Sequence, residues 1–363
     1  MIVDLDSHLR EGYFLDEVYR LDGPYARYTP VRLGEGRNHR TRFLHPLEPG
    51  DPRARACFKH PYMYDPAYDP ELAERQVGGY DLERRLEDIR REGIDKQVIF
   101  PTGIGIPTRN VGGLGAALCR AYNTWVAKLV KGYEDVFLPV AMAPAGCPDA
   151  MADELRRCVT ELGMRAGHLV AYCGPRNLDD PVFYPYYQAA EELGVPLFCH
   201  PNSDGDLTDR FDTFFKLHVL GRPMNCTAAL VALVLGGVFE KFPKLRVVFF
   251  ECSAEWILYW MHRMDDDYEW ARRLPVLTGA AAITMPPSEY VRRNCYVTCE
   301  ADEKHLPLAI EELGAERICL ATDYPHFDSE FPHTVSGIRA RTDISARDKE
   351  LILGGNAARL LGL

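Results

Sequence analysis

The sequence predicts an α/β protein folded as a distorted (β/α)8 or TIM barrel, and two observations predict this fold. Eight short runs rich in β-branched and aromatic residues alternate with amphipathic helical patterns, and such alternation indicates a parallel sheet. No Gly-rich phosphate-binding motif follows the first run, which makes an open doubly wound sheet the weaker alternative. The eight runs are residues 2–6, 96–101, 136–144, 165–172, 195–200, 245–251, 294–300 and 317–323.

The helices between these strands are predicted from the spacing of apolar residues. Leu82, Leu86 and Ile89 lie three or four residues apart before the second strand, as they would on one face of a helix. Gly93 and Gly194 stand shortly before a strand, where glycine commonly ends a helix. Similar spacing precedes the fourth and eighth strands, at Met151, Leu155, Cys158 and Leu162 and at Leu306, Ile310 and Leu313.

Two long connections interrupt the alternation, after the first and fifth strands. Residues 9–78 and 201–225 are rich in Pro, Gly, Arg and aromatic residues. In a barrel both connections lie at the carboxyl ends of the strands, where active sites form. We therefore predict one domain, residues 1–363, with 9–78 as an inserted loop or lid and a second lid after strand 5. Their aromatic residues favour packed lids over disorder: Tyr28, Tyr62, Tyr64, Phe211, Phe214 and Phe215.

Composition limits the classes of partner. The formal net charge is −11, which opposes general binding to nucleic acid or to an anionic membrane. The charged residues 84–88 are interpreted as a solvated helix face. The eleven cysteines include no C-x-x-C pair and suit reduced thiols in a core. No basic leader segment precedes an apolar one, and no run reaches the roughly 18 apolar residues of a membrane span, so we expect a cytoplasmic protein.

Polar residues stand at the carboxyl ends of four predicted strands. The stretch VDLDSH at 3–8 ends the first strand, and strand alternation predicts that Asp4, Asp6 and His8 share one face. His200, Glu251 and Asp323 end the fifth, sixth and eighth strands. Each has an ordinary structural explanation alone, but together they would bury uncompensated charge at one barrel mouth, which is costly without a metal or pairing.

The sequence resembles the amidohydrolase superfamily, in the branch that includes aminocarboxymuconate semialdehyde decarboxylase and resorcylate decarboxylase. The resemblance rests on the D-x-D-x-H start and on FCHP at 198–201, GGVFEKFPKLRVVFFE at 236–251, WILYWMHRMD at 256–265, TDYPH at 322–326 and GGNAARLLGL at 354–363. It implies a distorted barrel with one divalent zinc, manganese or iron ion. The implied ligands are Asp6, His8, His200 and Asp323.

Two positions depart from the family pattern. Many relatives begin with H-x-H, whereas this chain has Asp6 at the first ligand position, a harder donor that favours iron or manganese. The related decarboxylases carry a histidine at the end of the sixth strand, where this chain has Glu251. A carboxylate is a poorer proton donor at neutral pH unless burial raises its pKa. The second departure weakens a decarboxylase interpretation.

The leading sequence-based hypothesis is therefore a metal-dependent hydrolase. Metal-activated water would attack an ester, a thioester such as an acyl-CoA, a lactone or an amide with a bulky acyl group, and Asp323 would carry the proton. Glu251, His218 and His326 are the other catalytic candidates; a surface histidine and a helix-terminal histidine are the ordinary explanations for the last two. His168 could point into the barrel, but we expect a core histidine whose hydrogen bonds are satisfied.

Two alternatives remain open at this point. The first is a nonoxidative metal-dependent decarboxylase of an aromatic or enol carboxylic acid. The second is a ligand-binding barrel without turnover, against which the complete set of metal ligands argues. In every case we expect a small-molecule partner, and the resemblance suggests a homodimer.

Overall fold

The computed structural model describes residues 1–29, 31–33, 40–42, 74–103, 112–174, 176–201 and 213–363. Each of the eight predicted strand regions contributes a strand to the barrel, and the first strand is divided into two short strands, β1 and β2. The strands are β1 Val3–Asp4, β2 His8–Leu9, β3 Val31–Leu33, β4 Arg40–Arg42, β5 Lys96–Pro101, β6 Phe137–Pro139, β7 Gly167–Val170, β8 Leu197–His200, β9 Val247–Phe249, β10 Cys295–Cys299 and β11 Ile318–Leu320.

The barrel strands are parallel and close into a ring. Both β1 and β2 pair with β5, which pairs with β6, and β7 to β11 form a second sheet in sequence order. A bridge between Ala141 and Gly167 joins the two sheets on one side. A bridge between Ser7 and Tyr324 joins them on the other side. The (β/α)8 prediction is confirmed, and every strand aims its carboxyl end at the same mouth.

Helices follow the strands as the apolar spacing predicted. Gly93 ends one of them with a positive φ of 82°, a conformation that glycine adopts without strain. The α-helices span Leu15–Val18, Leu82–Glu92, Gly112–Leu129, Met151–Thr160, Tyr184–Leu193, Phe214–Lys216, Arg222–Leu235, Val238–Lys241, Trp256–Ala271, Pro275–Thr278, Pro287–Asn294, Leu306–Leu313, Thr334–Ala340, Ala346–Glu350 and Asn356–Leu361. Short 3-10 helices span Glu11–Phe14, Gly23–Tyr28, Gln76–Gly79, Pro148–Ala150, Pro181–Phe183, Ala280–Ala282 and Ala315–Arg317, and π-helical turns Leu217–Gly221 and Leu351–Gly355.

The two long connections are described in part. In the first, β3 and β4 pair in antiparallel orientation, while Tyr62 and Tyr64 lie outside the described residues, so the lid stays a prediction. In the second, Phe211 also lies outside them. The prediction of a loop through 201–225 is wrong for its last part, because residues 214–225 are helical. Pro223 is accommodated there because the first turn of a helix needs no N–H from it.

Residues 84–88 form only in part the solvated face that their charges suggested. Arg85 is fully buried and Asp88 nearly so. The guanidinium of Arg85 donates to the Gln97 side chain over 2.9 Å and to the carbonyl oxygen of His8 over 3.0 Å. The interpretation is therefore wrong for Arg85 and Asp88, whereas Glu87 is exposed and Arg84 half-buried. Arg85 follows Leu82 by three residues and shares its inward face.

One helix is long and apolar enough to cross a membrane. Among the described residues it is Leu217–Leu235, and 50% of its most apolar window is buried in the protein. The sequence prediction found no segment of that length. Because the core helix of a soluble protein meets the same criterion, this helix is weak support for a membrane segment, and the absence of a membrane partner stays a prediction.

Candidate metal centre

The first strand supplies two of the converging side chains. The strand is interrupted between β1 and β2, where the Asp6 amide donates to Asp4 Oδ1 over 3.2 Å. The Asp4 carboxylate also accepts hydrogen bonds from Gln97 Nε2 and from the amide and hydroxyl of Thr322. The predicted alternation that would place Asp4 beside Asp6 and His8 is therefore wrong, because the backbone leaves regular strand geometry between them.

Two overlapping sets of side chains at the barrel mouth could each hold a metal ion: Asp6, His8, His200 and Glu251 in one, and His8, Glu251, Asp323 and His326 in the other. The ion group is the name used here for Asp6, His8, His200, Glu251 and Asp323. His8 Nε2 lies 3.4 Å from Asp6 Oδ1 and 3.3 Å from Asp323 Oδ1. His200 Nε2 lies 3.7 Å from Asp6 Oδ1 and 3.3 Å from Glu251 Oε1. The four ligands that the resemblance implied therefore lie in one cluster with Glu251, linked through His8, which contacts both Asp6 and Asp323.

The tautomers of the two histidines indicate what they bind. His8 Nδ1 lies 3.2 Å from the carbonyl oxygen of Pro101, and His200 Nδ1 lies 3.0 Å from that of Pro201. A carbonyl oxygen accepts a proton, so each Nδ1 donates and each Nε2 presents a lone pair to the carboxylates. Lone pairs facing carboxylate oxygens repel each other unless a cation lies between them. Metal-bound histidines in proteins are commonly oriented in this way.

Several buried atoms of the ion group have no hydrogen-bond partner in the described part of the chain. These atoms are both oxygens of Asp6, Nε2 of His8 and Nε2 of His200. A buried polar atom without a partner is costly, and mixed imidazole and carboxylate donors suit a divalent cation such as manganese, iron or zinc. The residues present therefore fit the predicted cofactor, one divalent metal ion.

The electrostatics of the group also favour a cation at its centre. Burial opposes the charge of His8, but the nearby carboxylates of Asp323 and Asp6 outweigh it and raise the pKa of His8 well above its usual value. Burial likewise opposes the charge of Asp323, yet His326 and His8 hold its pKa below the usual range. Positive charge is therefore stabilised among these carboxylates, and a metal ion supplies that charge without protons.

Two neighbouring residues orient the carboxylates of the group. His326 Nδ1 lies 2.7 Å from Asp323 Oδ1, and the His326 ring stacks on His8 with 4.1 Å between centroids. Arg222 Nη1 lies 2.8 Å from Glu251 Oε2, which leaves Oε1 turned toward the histidines. Arg222 was not predicted, since its place depends on a helix that follows a long connection.

Both strand-end carboxylates sit on strained backbone. Glu251 has a φ of 54° and Asp323 a φ of 51°, a left-handed conformation that costs a residue with a Cβ about 1–2 kcal/mol. Such strain persists where the surrounding structure enforces it, and it clusters at functional sites. The strain therefore supports a functional role for the two strand ends.

Two further predicted histidines lie outside the ion group. His218 Nε2 lies 2.9 Å from Asp328 Oδ2, next to Phe327, so it stands beside the loop that follows β11. His168 is fully buried, and neither ring nitrogen has a hydrogen-bond partner in the described part of the chain. Burial lowers the pKa of His168 to about 3, and His200 adds to the effect. It is a neutral core histidine, as expected, but not a hydrogen-bonded one.

A small, partly open cleft lies beside the ion group. Among the residues that line it are Asp6, Glu251, Ser253, Glu300, Glu303 and Asp323. Glu300 and Glu303 were not among the predicted site residues. Glu300 stands directly after β10, so the strand-end criterion that selected Glu251 and Asp323 also applies to it.

Comparison with known proteins identifies the family. The family model described as amidohydrolase matches residues 44–363. The chain belongs to the amidohydrolase family. The 2-amino-3-carboxymuconate-6-semialdehyde decarboxylase of Dictyostelium discoideum is 28% identical over 293 residues, which cover 78% of this chain and 77% of that protein. The gamma-resorcylate decarboxylase of a Rhizobium species is 27% identical over 311 residues, which cover 82% of this chain and 91% of that protein.

The fold is also shared with solved structures. One is the 5-carboxyvanillate decarboxylase of Novosphingobium aromaticivorans complexed with manganese and 4-hydroxy-3-methoxy-5-nitrobenzoic acid. Its TM-score is 0.72 at 22% identity, covering 100% of this chain and 96% of that one. The family and these relatives support an enzyme, against a barrel without turnover. The prediction of a hydrolase or thioesterase is wrong, because the similar proteins are decarboxylases.

Proposed function

We propose that this enzyme is a metal-dependent nonoxidative decarboxylase of a small aromatic or enol carboxylic acid. The observation that carries the proposal is the ion group: buried nitrogen and oxygen donors without partners, aimed at one point of the barrel mouth. Relatives that cover most of the chain and remove a carboxyl group from such acids support the choice of reaction.

In this proposal Asp6, His8, His200 and Asp323 hold the ion. When bound, the ion supplies a positive charge that holds the substrate's carboxylate and an adjacent oxygen and stabilises negative charge during loss of carbon dioxide. His326 keeps Asp323 ionised and fixed in orientation through their 2.7 Å contact. The carbonyl oxygens of Pro101 and Pro201 fix the two imidazole rings in the same way.

Glu251 has a different role from the ligands. Arg222 holds one of its oxygens at 2.8 Å, and this pairing offsets a negative charge that would otherwise repel an anionic substrate. Arg222 thereby also brings a buried positive charge near the ion. In the proposed enzyme Glu251 receives hydrogen bonds from a substrate hydroxyl, while His218, paired with Asp328, lines the entrance.

The metal we propose to test first is manganese. Asp6 makes the first-strand ligand pair harder than two histidines, which favours manganese or iron over zinc. A related decarboxylase was solved with manganese. A cytoplasmic location and a homodimer stay predictions.

The experiment is a decarboxylation assay on the manganese-loaded protein. Candidate substrates are 2,6-dihydroxybenzoate, 5-carboxyvanillate and 2-amino-3-carboxymuconate 6-semialdehyde, with carbon dioxide and the decarboxylated product quantified by chromatography. We expect turnover of at least one acid, abolished by a chelator and restored by manganese. Inhibition by 4-hydroxy-3-methoxy-5-nitrobenzoic acid that competes with the substrate would extend the result.

The reverse reaction gives an independent reading. A decarboxylase that protonates a substrate carbon also exchanges the corresponding hydrogen of its product with solvent, so resorcinol or vanillate should incorporate deuterium from heavy water. Absence of both turnover and exchange in protein that holds a full complement of manganese would contradict the proposed function for these acids.

A further inference from the structure

Glu300 lies between the strand ends that carry Glu251 and Asp323. It follows β10 directly, and β10 pairs with β9 on one side and β11 on the other. The Ala321 amide donates to the carbonyl oxygen of Cys299 over 3.1 Å, which places the ends of β10 and β11 side by side. The side chain of Glu300 therefore joins those of Glu251 and Asp323 in the wall of the cleft.

The backbone around Glu300 is held firmly. The carboxylate of Glu303 accepts the Glu300 amide and the Ala254 amide, each over 2.8 Å. Arg341 Nη1 donates to the carbonyl oxygens of Ala301 and Glu303 over 2.8 and 2.7 Å. Two buried clamps thus fix the turn that presents Glu300. Fixed geometry of this kind is what a group that reacts with a bound substrate requires.

The carboxyl group of Glu300 itself is not used by the fold. In the described part of the chain, neither a hydrogen bond nor an ion pair engages it. Burial, with the negative charges of Asp323 and Glu303 adding to it, raises the pKa of Glu300 to about 8. Glu300 is therefore a carboxyl group that faces the cleft and has no partner in the described structure.

The other acidic residues of the cleft are committed elsewhere. Asp6 and Asp323 face the histidines and are held ionised. Glu251 is paired with Arg222. Glu303 accepts two backbone amides, and those hydrogen bonds would be weakened by a proton on its oxygens. Glu300 is the remaining carboxyl group in this wall of the cleft that is available to give up a proton.

We propose that Glu300 is a catalytic residue, the carboxylic acid that protonates the substrate carbon from which carbon dioxide leaves. The inference rests on the proposed decarboxylase function. The bond between that carbon and the carboxylate breaks, its electron pair stays on the carbon, and the carbon takes the proton of Glu300. The products are carbon dioxide, the protonated carbon and the Glu300 carboxylate, which regains a proton from water before the next turnover.

The first test compares Glu300→Gln with Asp302→Asn in the manganese-loaded enzyme. Glutamine keeps the size and hydrogen bonding of Glu300 but cannot deliver its proton, so kcat should fall about 10²–10⁴-fold, with the inhibition constant of 4-hydroxy-3-methoxy-5-nitrobenzoic acid within about threefold. Asp302 is exposed in the same turn, and its substitution makes the same change from carboxyl to amide outside the cleft, so its kcat should match the parent's. Glu300→Asp should recover part of the rate.

The outcomes separate this inference from the proposed function. If the parent decarboxylates an acid and Glu300→Gln keeps its kcat within threefold, the inference is overturned while the function holds. If Glu300→Gln loses manganese in proportion to its loss of activity, the residue acts on the ion rather than as an acid, and the inference is again overturned.

A second measurement does not depend on turnover. Infrared difference spectroscopy of the manganese-loaded protein with the nitro compound bound should reveal the carbonyl stretch of a protonated carboxyl group that disappears in Glu300→Gln. A bound ion would lower the pKa of Glu300 and a bound anion would raise it, so the spectra are recorded with both the ion and the nitro compound bound. If the parent and Glu300→Gln have the same carboxyl bands, Glu300 holds no proton there and the inference is overturned, even in a protein without detected activity.

Discussion

Two buried polar clusters lie beside β1 and the end of β11, and they differ in whether their polar atoms are hydrogen-bonded. The Asp4 network, formed by Asp4, Arg85, Gln97 and Thr322, is hydrogen-bonded throughout: Asp4 accepts from Gln97, Thr322 and the Asp6 amide. The ion group begins two residues later on the first strand and one residue later on the eighth, and its central atoms have no hydrogen-bond partner in the described residues. Both clusters are almost fully buried.

The comparison teaches that burial of charge does not by itself mark a functional site. The Asp4 network satisfies its atoms internally and ties the first strand to the helix Leu82–Glu92, as a structural cluster should. The ion group leaves its atoms facing one another, so that a ligand must complete it. Whether the buried polar atoms have hydrogen-bond partners therefore distinguishes a structural cluster from a functional one, even where the two clusters lie one or two residues apart in the sequence.

The largest effect is expected from Asp323→Asn in the ion group. The substitution removes an anionic ligand and the partner of His326, so kcat/KM for decarboxylation should fall about 10³-fold. The matched control is Asp328→Asn, which breaks the pair with His218 and should lower kcat/KM less than tenfold. Steady-state kinetics measures kcat/KM for both variants. Equal losses would contradict the special role of the ion group, because the pair of His218 and Asp328 would then matter as much as a metal ligand.

In the Asp4 network, Arg85→Met should reduce stability more than it changes the ion site. The substitution leaves the His8 carbonyl oxygen and the Gln97 side chain without their donor, and breaking such a buried network costs about 3 kcal/mol of unfolding free energy. Arg84→Met, which removes a partly exposed pair with Asp88, should cost less than about 1 kcal/mol. Urea unfolding measures both values, and a stable Arg85→Met protein that has lost its metal would reverse the roles assigned here.

A smaller effect is expected from His326→Ala, just outside the ion group. Residues that orient metal ligands typically contribute about 10–100-fold to metal affinity or activity. His326→Asn keeps a nitrogen donor near the position of Nδ1 and should recover part of the loss. Competition with a fluorescent chelator gives the manganese affinity, and alanine and asparagine variants with the parent's affinity would remove the orienting role.

The smallest effect concerns His168, which has no hydrogen-bond partner in the described residues yet lies outside the ion group. Its pKa falls from 6.5 to about 3 on folding. Stability that is present above pH 6.5 is therefore lost as the pH falls toward 3, because the unfolded chain binds the proton first. Between pH 7 and 5, metal-free parent protein should lose about 2 kcal/mol more unfolding free energy than His168→Leu. Equal losses would mean that His168 is protonated in the fold.

Much of the fold could be predicted from the sequence, because the spacing of apolar residues and the glycines that end helices are local features. The eight strands and helices such as Met151–Thr160 follow from apolar spacing, and strand ends gave Asp6, His8, His200, Glu251 and Asp323. The place of Asp4 could not be predicted from alternation, because a side-chain hydrogen bond bends the strand after it. Arg222 depends on how a helix packs after a long connection, which no local pattern records.

Two misjudged residues carried a signal that was present. Arg85 has the spacing of the apolar face of its helix, and its charge outweighed that spacing in the prediction. Glu300 ends the seventh predicted strand (β10), just as Glu251 ends the sixth (β9). The choice of reaction could not be predicted from strand ends, because the same ligands serve hydrolysis and decarboxylation, and the relatives decided against the hydrolase.

The most direct test of the central claim is the metal content of three proteins purified without chelators and reconstituted with manganese. Plasma mass spectrometry should find one ion per chain in the parent and in Asp4→Asn, which alters the Asp4 network but keeps a side-chain oxygen to accept the Asp6 amide. It should find none in the double variant Asp6→Asn with His8→Gln, provided that circular dichroism shows the variant folded. A folded double variant that binds as much manganese as the parent would contradict the account, since the ion would then lie elsewhere.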